Sequence, residues 1–124
     1  MSGSIYQVKA DFFKTLAHPA RIRVLELLRD GERSVGELIP GVGLEASHLS
    51  QQLAVLRRAN VITARKDGST VFYSVTNPRI FALLEEAKLI LAGSLTETQD
   101  LLIELSALDF ARPAPAQARR RRSA

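Results

Sequence analysis

The chain contains no cysteine and no tryptophan, and only two of its 124 residues are histidine. Without cysteine the protein forms no disulfide, offers no thiolate to a metal and has no thiol-based redox switch. No stretch of about 18 or more apolar residues is present, so the sequence predicts no membrane span. The first residues lack the basic-then-apolar order of a secretory signal, and we therefore expect a cytoplasmic protein.

Groups that carry catalytic chemistry are also sparse. The sequence shows no Gly-rich phosphate loop, no nucleophile–base pair and no two carboxylates at a useful spacing. Glu85 and Glu86 are neighbours on a predicted helix, so their side chains diverge by about 100°. His18 and His48 lie at a helix boundary and on a polar helix face, and two histidines so placed do not make a zinc site. The sequence therefore predicts neither an enzyme nor a bound cofactor or metal.

Charge is distributed in three blocks along the chain, whose net charge is +4. Residues 1–76 carry ten basic and seven acidic side chains, whereas residues 77–111 carry two basic and six acidic ones. Residues 112–124 carry five arginines and no acid. A basic front, an acidic middle and a basic tail indicate a polyanionic partner on one side of the molecule.

The length of 124 residues and the apolar content of 46% suit one globular domain with a modest core. We place this domain at residues 1–110. Residues 111–124 are rich in Pro, Ala and Arg and lack apolar side chains large enough to offset the entropy of ordering. We therefore expect residues 111–124 to be a disordered basic tail.

Residues 44–58 form the segment around which the rest of the chain is organised. Leu49, Leu53 and Leu56 share one face of a predicted helix because they are spaced at i, i+4 and i+7. The opposite face is polar and carries Ser47, His48, Gln51 and Arg58. Amides, hydroxyls and arginine are the groups that read base edges and bind phosphates in a DNA major groove. Considered alone, this segment is more simply explained as an amphipathic helix with one solvated face.

Two helices are predicted at the start of the chain. Apolar residues at helical spacing indicate a first helix over Ile5–Leu16. His18-Pro19 ends it, because the residue before a proline disfavours the helical conformation. Pro19 then suits the first turn of a second helix over Ala20–Leu28, which Asp30-Gly31 closes.

A short third helix is predicted to begin at Ser34. Ser34 and Glu37 have the spacing of a capping box, in which each side chain accepts the other residue's backbone N–H. Pro40-Gly41 is expected to stop this helix after about one and a half turns. Two helices joined by a short Gly-containing turn, the second with a polar outer face, form a helix-turn-helix pattern.

Asn60 is expected to end the helix of residues 44–58 in a left-handed conformation, and the stretch after it predicts a β-hairpin. Its two halves are rich in β-branched and aromatic side chains and flank Asp67-Gly68, a dipeptide favoured in type I′ turns. Arg65 and Lys66 lie just before the tip. A hairpin directly after a helix-turn-helix is a wing, whose basic residues reach flanking phosphates or the minor groove. An ordinary solvated turn is the alternative for these two side chains.

A long final helix is predicted over residues 78–108. Its aliphatic side chains form one broad face that continues past Gly93-Ser94. So many aliphatic side chains exceed what a small core needs, which indicates burial against a second chain. A helix wrapped only on its own core is the alternative.

Taken together, these segments resemble the ArsR/SmtB family of bacterial winged helix-turn-helix repressors, in particular compact cysteine-free members of actinobacterial type. The matching stretches, which lie in family order, are Phe13–Leu25, Ser47–Ala59, Arg65–Gly68 and Phe72-Tyr73. The resemblance implies a mainly α fold with a small β-hairpin, in the order α-α-α-α-β-β-α. It also implies a homodimer that binds a partly palindromic operator in double-stranded DNA and represses transcription by blocking polymerase.

The resemblance assigns roles to individual side chains. The terminal helices, at about 5–17 and 78–108, would form the dimer through Ile5, Val8, Phe12, Leu84, Leu91, Leu95 and Leu102. Base edges would be met by Ser47, His48, Gln51 and Gln52. Phosphates would be contacted by Ser50, Arg57, Arg65 and Lys66.

The chain departs from the family's metal sensors at both of their sites. Those sensors carry a Cys-x-Cys pair where this chain has Ser34 and Gly36, or bind zinc between the last helices, where residues 77–110 here contain no histidine. We therefore expect a regulator without these metal sites and with an unknown effector. Two other hypotheses remain open: a small-molecule or protein effector that enters the apolar dimer interface, and a protein-interaction module that has lost DNA binding.

Overall fold

The computed structural model describes residues 3–94, Ile103 and residues 105–107. The helices are α1 (Ile5–Leu16), α2 (Pro19–Leu27), α3 (Val35–Val42), α4 (Ala46–Arg58) and α5 (Arg79–Ser94). The strands are β1 (Arg33–Ser34), β2 (Ile62–Asp67) and β3 (Thr70–Val75), and Leu28–Asp30 form a 3₁₀ turn after α2. The predictions made for Leu95, Leu102 and the tail at 111–124 lie outside the described residues.

The first two helices begin with side-chain caps. Ser4 Oγ accepts a hydrogen bond from the Gln7 N–H at 3.0 Å, and His18 Nδ1 accepts one from the Ala20 N–H at 3.0 Å. Such caps satisfy backbone donors that have no partner within the helix. Pro19 stands in the first turn of α2, where its missing N–H costs nothing. The predicted pair of helices with a break at His18-Pro19 is confirmed.

The third helix is longer than the sequence predicts. Its start is as expected: Glu37 Oε1 accepts from the Ser34 N–H at 3.0 Å, and Ser34 Oγ accepts from the Glu37 N–H at 3.3 Å. The predicted stop at Pro40 is wrong. Two more helical residues follow Pro40 before Gly43, with a left-handed φ of 80°, closes the helix.

Packing explains why the helix continues through its proline. The φ of a proline is already helical, so Pro40 costs mainly one backbone hydrogen bond and some crowding of the preceding turn. Packing offsets this cost. Leu38 is fully buried. Gly41 approaches Leu27 so closely that a Cβ added to Gly41 would lie 2.6 Å from Leu27 Cδ1. Arg23 Nε also donates to the Gly41 carbonyl at 3.0 Å. These contacts hold the last turn of α3 against α2.

The core lies between α2, α3, α4 and the hairpin. Leu49, Leu53 and Leu56 are 0%, 1% and 0% exposed, as their spacing predicts. They pack with Val24, Leu25, Leu38, Ile62 and Ile80. Full burial of a leucine contributes about 1.5–3 kcal/mol. This row of leucines therefore fixes the rotation of α4 and turns the opposite face of the helix outward.

The hairpin turn lies one residue later than predicted. Asp67 pairs with Thr70 across the two strands. The central turn residues are therefore Gly68 and Ser69, and the predicted Asp67-Gly68 turn is wrong. Gly68 has a φ of 65°, and Ser69 has no positive φ. This is the pattern of a type II′ turn, in which glycine alone supplies the positive φ. The predicted type I′ turn at Asp67-Gly68 would impose a positive φ on Asp67 as well.

The sequence does not predict β1. Arg33 and Ser34 pair antiparallel with Tyr73 and Phe72 of β3, which gives the strand order β1-β3-β2. Two residues are too few to show an alternating pattern, and their pairing depends on a partner about forty residues away. The expected hairpin is therefore part of a three-stranded sheet. With α3, α4 and this sheet in sequence, the fold is a winged helix-turn-helix.

The first and last helices bury little within the chain. Leu16 is the buried residue of α1, and Ile80 is that of α5. Among the described residues, the exposed large apolar ones are Ile5, Tyr6, Val8, Phe12 and Phe13 in α1, Leu89, Ile90 and Leu91 in α5, and Ile103 and Leu105. Of the predicted interface residues, this set includes Ile5, Val8, Phe12 and Leu91. Leu84 is instead half-buried and packs against the chain's own core.

Candidate nucleic-acid interface

The outer face of α4 carries polar side chains that have no partner. Ser47, His48, Ser50 and Gln51 are all exposed. Within the part of the chain that the structure describes, none of these side chains makes a hydrogen bond or an ion pair. The buried leucines on the opposite face hold the helix in place. Hydroxyl, imidazole and amide groups are therefore presented on a fixed helix face, free to bond an external partner.

Gln52, the next residue along α4, is placed differently. It is half-buried, and its Oε1 accepts a hydrogen bond from Arg21 Nε at 2.8 Å. Arg21 lies on α2 and also donates through Nη1 to the Thr15 carbonyl at 3.0 Å. The sequence groups Gln52 with the base-reading residues, but the structure ties its oxygen to an internal arginine.

The C-terminal end of α4 is basic. Arg57 and Arg58 lie in its last turn and are exposed, and among the described residues neither has an ion-pair partner. Asn60 then takes the predicted left-handed conformation, with a φ of 62°, and turns the chain towards β2. Two cations at a helix C-terminus are favoured by the helix dipole and remain available to phosphates.

Arg65 in the wing is already engaged with carboxylates. Its Nε donates to Glu32 Oε2 at 3.2 Å, and its Nη2 forms a second, shorter contact with Glu32 Oε1. Arg65 Nη1 lies 3.8 Å from Asp67 Oδ2, and the guanidinium carbon lies 5.1 Å from the ring centre of Phe72. Two carboxylates therefore face this one cation.

The same contact shifts the titration of both partners. The hydrogen bond from Arg65, with a smaller contribution from its charge, lowers the pKa of the Glu32 carboxyl, and partial desolvation opposes the shift. The Glu32 carboxylate in turn raises the pKa of Arg65. The pair therefore stays ionised at neutral pH, and the Glu32 carboxylate balances the positive charge of Arg65.

Lys66 has the opposite environment, although it is the next residue of the strand. Neighbouring residues of a β-strand point to opposite faces, so Lys66 projects away from the side on which Arg65 meets Glu32. Lys66 is exposed, and no described residue forms an ion pair with it. Of the two basic side chains near the wing tip, Lys66 is the one available to a phosphate.

Neither Glu32 nor the partner of Gln52 is suggested by the sequence. The bonded pairs are separated by 33 residues for Arg65–Glu32 and by 31 for Arg21–Gln52. Local spacing carries no information on such contacts. The position of Glu32 follows only from the pairing of β1 with β3.

Across residues 3–94, 103 and 105–107, no group of three or more His, Asp or Glu side chains is placed to hold a metal ion. Ser34, which stands where metal sensors have a cysteine, is occupied in the capping box of α3. No helix in these residues is both long enough and apolar enough to cross a membrane.

The fold and this surface together define a winged helix-turn-helix DNA-binding protein. The family model described as bacterial regulatory protein, arsR family, matches residues 18–64. The chain is 55% identical to the HTH-type transcriptional regulator Rv0081 of Mycobacterium tuberculosis over 107 residues, which cover 86% of this chain and 94% of that protein. The chain belongs to the ArsR family, whose members are transcriptional regulators and not enzymes.

Solved structures agree with this assignment. The crystal structure of Rv0081 from Mycobacterium tuberculosis matches with a TM-score of 0.69 and 58% identity, covering 77% of this chain and 97% of that one. The transcriptional repressor BigR from Xylella fastidiosa matches with a TM-score of 0.64 and 35% identity, covering 68% and 87%. The homodimeric DNA-binding domain of Mb0332 from Mycobacterium bovis matches with a TM-score of 0.57 and 27% identity, covering 71% and 90%.

Proposed function

We propose that this transcriptional regulator is a homodimeric, cytoplasmic repressor that inserts α4 into the major groove of a partly palindromic operator and blocks polymerase. One observation carries the proposal. Of the eight polar side chains that the sequence assigns to DNA, six are exposed and have no partner among the described residues. They are Ser47, His48, Ser50, Gln51, Arg57 and Lys66.

The roles proposed for these six follow from their chemistry and position. Ser47, His48 and Gln51 lie on the outer face of α4 and carry groups that hydrogen-bond base edges. Ser50, Arg57 and Lys66 contact phosphates and set the register of the protein on the duplex. Base contacts give specificity, whereas phosphate contacts give affinity that falls with salt.

The dimer is supported by the apolar side chains that the chain leaves in solvent. Ile5, Val8 and Phe12 of α1 are 58%, 53% and 38% exposed, and Leu91 of α5 is 54% exposed. Apolar patches of this kind are unusual on a monomer. The homodimeric relative from Mycobacterium bovis supports the same assembly. In the dimer the two copies of α4 are expected about 34–36 Å apart, one turn of DNA.

The experiment compares the protein's own promoter fragment with random DNA of the same length. Fluorescence anisotropy over a range of salt concentrations gives the affinity and its salt slope, and sedimentation gives the mass of the free protein. We expect a dimer that prefers the promoter fragment and whose affinity falls steeply with salt. Absence of binding to either DNA at every salt concentration would favour the protein-interaction module instead.

We also propose that operator binding does not require a metal. The motivation is the chain itself, which lacks the cysteine pair of metal sensors and has no histidine in residues 77–110. The affinity for the promoter fragment is measured in EDTA and with stoichiometric zinc. The two values should agree, and a change of more than about tenfold, equivalent to 1.4 kcal/mol, contradicts the proposal.

A further inference from the structure

Arg21 joins three helices through two hydrogen bonds. It is part of α2 and half-buried. Its Nη1 donates to the backbone carbonyl of Thr15, in the last turn of α1, at 3.0 Å. Its Nε donates to the side-chain oxygen of Gln52, in the middle of α4, at 2.8 Å. A single guanidinium therefore connects the end of α1 to the helix that carries the base-reading residues.

The geometry of these bonds is restrictive. A guanidinium is a rigid planar fork whose donors keep a fixed angle to one another, and its hydrogen bonds are charge-assisted. The carbonyl oxygens at a helix C-terminus carry partial negative charge, which strengthens the bond to Thr15. With both acceptors engaged, these two bonds add to the packing in opposing rotation or sliding of α4 relative to α1.

The two connected helices have different tasks in the proposed function. α1 exposes Ile5, Val8 and Phe12, the apolar residues proposed for the dimer interface. α4 exposes His48 and Gln51 to the DNA. Any tilt of α4 relative to α1 is repeated in the partner protomer, so it changes both the spacing and the angle of the two reading helices.

We infer that Arg21 and Gln52 are positioning residues, which fix α4 relative to α1 and so set the distance between the two reading helices of the dimer. Gln52 then acts through Arg21 rather than on a base. This inference rests on the proposed function, because it concerns a dimer that reads two half-sites. It assigns Gln52 a role different from the one that its place beside Gln51 predicts.

Arg33, another arginine that bonds a backbone carbonyl, provides a control. Arg33 Nε donates to the Leu27 carbonyl at 2.9 Å, so it also bonds the end of a helix. Arg33 makes no hydrogen bond or ion pair with α4. Arg33→Ala therefore removes a similar bond together with a positive charge, a larger change than Arg21→Lys, without touching the connection between α1 and α4.

The first experiment measures the distance between the two copies of α4 without DNA. Because the chain has no cysteine, Glu45→Cys introduces one spin label per protomer at the exposed start of α4. Dipolar spectroscopy is applied to this labelled background and to the same background with Arg21→Lys, Gln52→Ala or Arg33→Ala. Arg21→Lys keeps the charge but not the fork.

We expect a narrow distance distribution in the labelled parent and in Arg33→Ala, and a broader or shifted one in Arg21→Lys and Gln52→Ala. Distributions of equal width and position in all four proteins would overturn the inference. A chain that is monomeric gives no inter-protomer signal, which would overturn the inference together with the dimer. Neither result depends on DNA, so both are distinguishable from a failure to prefer the promoter fragment.

The second experiment is a double-mutant cycle on promoter affinity with unlabelled protein. Arg21→Lys and Gln52→Ala should each weaken promoter binding by about tenfold, and the double variant no further, because either change breaks the same bond. In competition with single-base variants of the operator, these variants should keep the base preference of the unsubstituted protein. Their affinity for random DNA should equal that of the unsubstituted protein. Additive losses would show that Arg21 and Gln52 act independently and would overturn the inference. A Gln52→Ala effect confined to one base pair of each half-site would overturn it as well and would make Gln52 a base-reading residue.

Discussion

α4 and the wing both present polar and basic side chains to solvent, but they differ in whether those side chains are already bonded. On the outer face of α4, Ser47, His48 and Gln51 have no partner among the described residues. In the wing, Arg65 is held by Glu32 and stacks on Phe72. A basic residue near a tip is therefore not by itself a phosphate contact. Its availability depends on what the fold places beside it.

The difference has a structural cause. A helix satisfies its backbone internally and divides its side chains into two faces, so an outer polar face stays free when the inner face is buried. A sheet brings together residues that are distant in sequence. The pairing of β1 with β3 carries Glu32 to Arg65, which lies 33 residues away in sequence. The helix is proposed to read DNA with these unpaired groups, whereas one cation of the wing, Arg65, is bonded to Glu32.

The largest expected effect concerns stability and contrasts the inner face of α4 with the wing. Leu53 is 1% exposed, so Leu53→Ala leaves a cavity and should lower the free energy of unfolding by about 2–5 kcal/mol. Val71 of β3 is only half-buried, and Val71→Ala should cost about 1 kcal/mol or less. Urea unfolding at one fixed protein concentration measures both. Equal losses would mean that the wing belongs to the core as fully as α4 does.

The next effect concerns base preference. Gln51→Ala and His48→Ala should each cost about 1–3 kcal/mol at one base pair of each half-site and leave the unfolding midpoint unchanged. Gln7→Ala is the control, since Gln7 is an exposed glutamine on α1 that bonds Asp11. Competition with single-base variants of the operator measures the preference. Uniform losses across all variants would show that these two side chains bind phosphates.

The third effect separates the two basic residues of the wing. Lys66→Ala should weaken promoter and random DNA alike and reduce the slope of log affinity against log salt by about 1.8, because the dimer loses one phosphate contact, worth about 0.9, in each protomer. Arg65→Ala should leave the slope nearly unchanged, because the charge of Arg65 is balanced by Glu32. The sequence assigns both residues to phosphates, so the opposite ranking would restore that assignment.

Local sequence patterns predicted much of the secondary structure and the buried face of α4. The spacing of Leu49, Leu53 and Leu56 gave the buried face of α4, and Ser34 with Glu37 gave the capping box. These features depend on residues within two turns of one another, so they can be recognised in the sequence. The bounds of α1 and the left-handed Asn60 are confirmed for the same reason.

Two predictions about local structure were wrong. Pro40 does not stop α3, because Leu38 and Gly41 pack on α2 and the core. The hairpin turns at Gly68-Ser69 and not at Asp67-Gly68, since glycine alone then carries the positive φ. In addition, no local pattern reveals that Gln52 and Arg65 are bonded to partners more than thirty residues away. Residue type identified the polar side chains of α4 and the wing as candidates for DNA contact. Contacts within the fold decide which of these side chains have no partner.

The smallest expected effect is a pH dependence confined to the wing. Arg65 lowers the pKa of Glu32 in the folded chain, so the contact with Arg65 stabilises the wing at pH above the ordinary carboxyl pKa. As the pH falls through the lowered folded pKa, Glu32 becomes protonated and this contribution is lost. Hydrogen exchange of the Phe72 amide, corrected for the intrinsic pH dependence of exchange, should therefore accelerate in acid. Glu32→Gln, which has no carboxyl group to titrate, should remove this acceleration and leave the amides of α4 unaffected. If the unsubstituted protein and Glu32→Gln show the same pH profile at Phe72, Glu32 does not anchor the wing, and Arg65 is as available to phosphates as Lys66.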